Sequence, residues 1–212
     1  MLSVVNLKKS FGQQVLWEGI SFEVPSGEGM LLMGPSGSGK STLLSVLAGE
    51  DHWDEGTISW KGVLLQPGDR RPELCLVAQD HGLFRHLDVL SQVLLPLTVL
   101  RKLPLKSARE IAMCWLERLD LAEHAKKGIQ QISGGQQQRL AIARGMALTP
   151  QVICLDEPTA AQDSVQVERI AALLMAMTAE GRSVIATTHD PRLVESFPCQ
   201  HVYLSKDRVG IS

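Results

Sequence analysis

The sequence predicts an α/β fold with a mostly parallel core sheet, a small antiparallel β subdomain and an inserted helical subdomain. Three observations lead there. Short β-type runs dominate the chain up to Gln79, with one helical stretch among them, and helical apolar spacing alone occupies residues 80 to about 148. Strand-type runs then return at VICLD and SVIATTH, with a helical pattern between them. Residues 1–79 and 149–212 therefore read as one core interrupted by a helical insertion at 80–148, within a single domain of 212 residues.

From Leu2 to Val24 the runs VVNL and VLWEGISFEV read as strands, with FGQQ as the turn between them. GMLLM, Gly29 to Met33, is short and continuously apolar, which suits a strand buried on both faces. Helical spacing runs from Ser41 to about Ala48, and TISW, VLL and ELCLVAQ follow as strands. In the insertion, LDVLSQVLLPLTVLRKL, SAREIAMCWLERLDL and GGQQQRLAIARGMAL read as helices. VICLD is the next strand, Val165 to Thr178 a helix and SVIATTH another strand; HVYLS and RVGI close the chain as short edge strands. No internal repeat or low-complexity linker interrupts this order.

Composition limits the function. With 44% hydrophobic and 21% charged residues the chain can bury a sizeable core, and a formal net charge of −2 with mixed signs gives no basic face for nucleic acid. Any anionic ligand must be held locally. Cys75, Cys114, Cys154 and Cys199 form no CxxC pair and read as buried, reduced thiols rather than a zinc site or a disulfide framework. The start MLSVVNLKKSFG lacks the features of a secretory signal. The best apolar run, Val93 to Leu100, is broken by Pro96 and falls well short of the roughly twenty residues a membrane helix needs. The expectation is a cytoplasmic protein that does not span a bilayer by itself.

Gly34-Pro35-Ser36-Gly37-Ser38-Gly39-Lys40-Ser41 fits the phosphate-loop pattern GxxxxGK[ST], with an apolar strand before it and a helix after it. The glycines let backbone N–H groups converge on an anion at a helix amino terminus. Lys40 would reach β- and γ-phosphates, and the Ser41 hydroxyl would ligate Mg²⁺. VICLDE ends an apolar strand in two acids, so Asp156 is the natural metal partner and Glu157 can polarise a water for attack on a γ-phosphate. His189 follows SVIATTH and would lie at the same sheet edge. Gln79, after ELCLVAQ, is a neutral amide that can touch metal or water where the chain turns helical. The phosphate loop alone would also suit a kinase or a GTPase. The second glycine-rich turn, ISGGQQQR at 132–139, has no purpose in either.

The phosphate loop, Gln79, ISGGQ at 132–136, LDEP at 155–158 and His189 together resemble the ATP-binding-cassette ATPases, the nucleotide-binding subunits of ABC transporters. The likeness covers nearly the whole chain. It implies a P-loop NTPase core with the β and helical subdomains above, and Mg²⁺-dependent hydrolysis of ATP. It further implies a head-to-tail pair of cassettes, a homodimer or a paralogous pairing, enclosing two ATP. Nucleotide contacts would come from Gly34 through Ser41 and Thr42 of one chain, and from Ser133, Gly134, Gly135 and Gln136 of the other. Glu157, His189, Lys40 and Gln79 would serve the chemistry, with Ser41, Gln79 and Asp156 at the metal. Phe11 resembles the family's adenine-stacking aromatic, usually tyrosine, and Trp17 is its rival. PTAAQD at 158–163 departs from the more common PTSALD, so Ala160 and Gln162 alter the coupling across the dimer, while Asp163 remains.

The same resemblance implies integral membrane transporter subunits as partners and a peripheral place on the cytoplasmic face of the plasma or inner membrane. Leu83, Phe84, His86 and Leu87 are candidate contacts for a partner helix. SGGQQQR and QDHGLF resemble importers of polar amino acids, whereas LLPLTVL and the compact ending resemble the lipoprotein-release and cell-division branch. The alternative to a pump is an ATP-gated regulatory cassette bound to a membrane partner.

Overall fold

In the computed structural model, residues 1–160 and 162–204 are described in full and residues 209–211 as backbone. β1 (Leu2–Phe11) and β2 (Gln14–Val24) pair antiparallel, with Phe11 opposite Gln14. The connection is only Gly12-Gln13, shorter than the FGQQ turn expected, because the alternation of buried and exposed residues carries β1 through Phe11 and Gly12 accepts φ 60°. β3 (Gly29–Met33) is the continuously apolar strand, and it leads through residues 34–39 into α1 (Lys40–Leu47), one residue earlier than the apolar spacing suggests. β4 (Glu55–Trp60) and β5 (Val63–Leu64) extend the first sheet, whose order is β2-β1-β4-β5.

β6 (Leu74–Val77) is shorter than ELCLVAQ suggested and stops two residues before Gln79, which lies exposed in a turn. Next come α2 (Val89–Val99), α3 (Leu105–Arg118) and α4 (Gly134–Ala147). The core then resumes with β7 (Val152–Asp156), α5 (Ser164–Ala179), β8 (Ser183–Thr187), α6 (Pro191–Ser196), β9 (Gln200–Leu204) and β10 (Val209–Ile211). Of the runs HVYLS and RVGI, Ser205 and Arg208 lie outside the described residues, as does Ala161.

The second sheet has the order β10-β9-β3-β8-β7-β6, with β9, β3, β8 and β7 parallel and β10 antiparallel to β9. β9 is therefore an interior strand rather than the edge its short sequence implied; β10 takes that edge and β6 the opposite one. Helical crossovers join parallel strands, and α5 buries Val167, Ile170, Ala171, Leu174 and Met177 along one face. Each fully buried leucine or isoleucine in such a core contributes about 1.5–3 kcal/mol.

Contacts between residues divide the chain into two compact units, Met1–Leu76 with Gln151–Ser212, and Val77–Pro150. The first holds one continuous apolar core, in which Leu2, Trp17, Leu32, Leu44, Ile58 and Ile185 are all nearly inaccessible. In the second, α2, α3 and α4 pack pairwise and bury Val93, Ala112, Leu116 and Leu140. Among the described residues no helix is long and apolar enough to cross a membrane. The cysteines differ from expectation: Cys154 is buried, Cys75 and Cys199 are half-buried, and Cys114 is exposed on α3. Burial pushes the Cys199 thiol up to about 11 and raises Cys154 further, so neither is a ready thiolate.

Candidate nucleotide site

Register in the parallel sheet decides where the polar residues meet. Leu32 of β3 pairs with Thr187 of β8, and Thr187 pairs with Asp156 of β7. One or two residues beyond these, the chain turns into the loop that starts at Gly34, into Glu157, and into Thr188-His189. Three separate stretches of sequence thus emerge at one carboxyl edge of the sheet, where α/β folds bind ligands.

The loop from Gly34 to Gly39 depends on its glycines at two places. Gly34 at φ 142° passes so close to the Leu204 carbonyl that any Cβ would collide with it, and a Cβ on Gly39, at φ 89°, would lie 2.7 Å from both Leu16 and Trp17. Gly39 caps α1 without a side-chain hydrogen bond, and the first turn carries no acid. Its amino-terminal N–H groups and positive dipole end are thus not neutralised by a side chain of the helix itself. Lys40 is buried, and its ammonium donates to the carbonyls of Gly34 at 2.9 Å and Pro35 at 3.0 Å. The Ser38 hydroxyl is buried with no hydrogen-bond partner among the described residues. A polyphosphate fits this cradle: it would partner the Ser38 hydroxyl, the loop N–H groups and the lysine together.

The acids are held by a residue that the sequence reading passed over. Thr187 is fully buried; its hydroxyl donates to Asp156 Oδ1 at 2.6 Å and accepts from the Glu157 N–H at 2.9 Å. Glu157 adopts φ 51°, an unfavourable conformation for a non-glycine residue, and the Thr187 contact helps to hold it. The bend aims the Glu157 side chain at His189. Its Oε2 accepts from the His189 backbone N–H at 3.3 Å, and Oε1 lies 3.5 Å from His189 Nε2. Glu157 is mostly shielded while the His189 ring is exposed, so the pair opens toward solvent. A cleft of about 450 Å³ beside it is lined by Gly34, Pro35, Thr188, His189, Val194 and Tyr203.

Beyond His189, Asp190 caps α6 and receives both Nε and Nη2 of Arg192, at 2.9 and 2.8 Å. The Arg192 guanidinium holds the Asp190 carboxyl below the usual carboxylate range. Arg192 also reaches the Gln162 carbonyl and the Ser164 hydroxyl, both at 3.3 Å, tying the segment after Glu157 to the one after His189. Gln162 is buried and Ala160 exposed; Asp163 is the N-cap of α5, accepting from the Gln166 N–H at 2.9 Å. Of the two aromatic candidates, Trp17 is packed away against Gly39, whereas Phe11 is 56% exposed at the end of β1 with the Lys9 ammonium 4.9 Å from its ring centre.

The remaining expected residues belong to the helical unit. Ser133 caps α4 in a reciprocal pair with Gln136: Ser133 N–H donates to Gln136 Oε1 at 2.8 Å, and Gln136 N–H donates to Ser133 Oγ at 3.2 Å. Ser133 and Gly134 are exposed, while Gln136 turns its amide inward into the cap. Phe84 and His86 are exposed, and Leu83 and Leu87 are half-buried. That segment is fixed by the buried Gln92, which bonds both the N–H and the carbonyl of Phe84, and by Arg144, which donates to the carbonyls of His81 and Gly82.

A sequence profile described as ABC transporter matches residues 17–160. The chain belongs to the ABC transporter family. It is 34% identical over 214 residues to an uncharacterised amino-acid ABC transporter ATP-binding protein, YhdZ of Escherichia coli, covering 99% of this cassette and 85% of that protein. It is 36% identical over 195 residues to the glutamate transport ATP-binding protein GluA of Corynebacterium efficiens, covering 90% and 81%. Among solved structures, the post-hydrolysis dimer of the ATP-binding cassette MJ0796 bound to ADP and Pi is similar with a TM-score of 0.89 at 30% identity, over 100% of this cassette and 98% of that chain. The cassette is accordingly an ATP-binding ATPase with an α/β core and an added antiparallel sheet.

Proposed function

We propose that this cassette is the ATP-hydrolysing subunit of an importer for polar amino acids, closing head to tail with a second cassette around two Mg-ATP beneath integral membrane subunits. The register that gathers Gly34, Asp156-Glu157 and His189 at one sheet edge carries the reading. The amino-acid branch is supported by relatives named for amino-acid and glutamate transport. The unit Val77–Pro150 is the helical subdomain in this reading, with Phe84 and its neighbours presented to the membrane partner, and the cassette is peripheral on the cytoplasmic face.

In that reading the loop N–H groups and Lys40 bind the β- and γ-phosphates, and Ser41 and Thr42 flank them. Ser41 and Asp156 offer only oxygen donors, which fits Mg²⁺. No group of three or more His, Cys, Asp or Glu able to hold a metal exists among the described residues, so phosphate oxygens and water would complete the shell. Held there, Mg²⁺ would neutralise charge on the phosphates. Glu157 accepts a proton from the attacking water, and His189, held by the same carboxylate, faces the γ-phosphate. Phe11 supports the adenine through its exposed face. Ser133, Gly134 and Gly135 of one chain close on the nucleotide of the other.

Glu157→Gln tests the scheme because it preserves shape while removing the base. With ATP and Mg²⁺, light scattering should show this variant as a dimer, and the double variant with Ser133→Arg as a monomer. Equal dimerisation of both would reject closure by the Ser133 turn.

A further inference from the structure

We infer that His124 is a positioning residue that fixes the Gln136 amide and, through it, the Ser133 turn. His124 ends a short 3₁₀ turn, Ala122–His124, and its side chain is largely shielded. Its Nε2 lies 2.7 Å from Gln136 Nε2. The polarity of that contact follows from the other end of the same amide. Ser133 N–H can only donate, so the Gln136 atom 2.8 Å from it must be the oxygen, and the group facing His124 must be the NH₂.

An NH₂ group only donates, so His124 Nε2 must accept. The imidazole is then neutral, with its proton on Nδ1, which is buried and without a hydrogen-bond partner among the described residues. The Glu123 carboxylate lies 3.5 Å from Nε2 but is 81% exposed and too distant for a good hydrogen bond. If the amide rotated by half a turn, its NH₂ would face the Ser133 N–H, donor against donor, and the reciprocal cap would break. The Ser133 N–H therefore sets the amide orientation, and His124, by accepting from the NH₂ end, anchors the side chain in the arrangement that keeps Ser133 capped. Neighbouring glutamines reinforce the turn: Gln131 Oε1 accepts from the Gly128 N–H, and Gln137 Nε2 donates to the carbonyls of Ile129 and Ile132. In this account the glutamines around ISGGQQQR serve chiefly to hold the loop's shape.

The functional weight of this inference rests on the proposed trans role of Ser133, but its first test does not. Amide hydrogen exchange of the full chain would be followed at Ser133, with Ser91, capped by Asp88 elsewhere in the same unit, as the control. His124→Leu removes the acceptor and should speed Ser133 exchange about tenfold with Ser91 unchanged. His124→Gln, which places an oxygen near the lost Nε2, should restore the slow rate. In a Gln136→Leu background, His124→Leu should add nothing. Unchanged Ser133 exchange, equal acceleration at Ser91, failure of the glutamine to rescue, or fully additive effects in the double variant would each overturn the inference.

ATP turnover separates the two ideas. His124→Leu should lower kcat about tenfold with ATP binding to the single chain unaltered. A weakened Ser133 cap with normal turnover would leave the positioning role standing and count against the trans role of Ser133.

Discussion

Thr187 joins both acids through one hydroxyl, which makes it a sharper probe of the site than either acid alone. Thr187→Val keeps the volume but leaves the Glu157 N–H and Asp156 Oδ1 without that partner in a buried place. Losing such bonds costs about 1–3 kcal/mol, so phosphate release should slow about 10–100-fold while ATP affinity, carried by the loop and Lys40, stays near that of the unaltered chain. Lys40→Ala should do the reverse and abolish tight ATP binding in equilibrium titration, because it removes the ammonium that is bonded to the loop carbonyls. At this scale the sequence was informative wherever a residue type is itself the chemistry, as for Lys40, Asp156 and Glu157. Thr187, Arg192 and His124 were passed over because threonine, arginine and histidine are ordinary in such places. Their meaning comes from partners about 30, 30 and 12 positions away, as in Thr187 with Asp156, Arg192 with Gln162 and His124 with Gln136.

Among the elements, α6 is short, and its N-cap has a job beyond starting a helix. The Asp190–Arg192 pair anchors the Gln162 segment, and the folded-state carboxyl is held below its ordinary 3.8. A depressed folded value means that the stabilisation is fully present above the unfolded pKa and fades as pH falls through the folded one. The Tm difference between the unaltered chain and Asp190→Asn should therefore be full at neutral pH and close progressively below about pH 4. A gap that persists unchanged at pH 2 would show that the charge is not what stabilises this corner. Periodicity gave the presence of α1 to α5 well, since each buries a regular apolar face. It misjudged the strands, placing β9 at an edge and extending β6 to Gln79. Strand position depends on which partner a run of four or five residues finds across the sheet, and such a run does not encode that.

On the scale of the whole molecule, the α/β class and the helical insertion were visible because the two apolar periods differ so plainly. The order of strands was not, since β3 pairs with β8 and β9, each more than a hundred and fifty positions further on. That interruption has a consequence in time. The unit Val77–Pro150 is continuous, so it can acquire its helices by local contacts while the chain is still being made. The central sheet must wait for its last third, because β3 has no parallel neighbour until β8 and β9 emerge. Folding should accordingly be vectorial, with loop closure over the inserted unit as the slow step. Pulse-labelling exchange during refolding should find α3 and α4 amides protected before those of β3 and β8, and simultaneous protection would refute that order. Until β8 arrives, the edges of β3 stay open to wrong partners, so crowded synthesis of this chain should favour aggregation more than its modest size suggests.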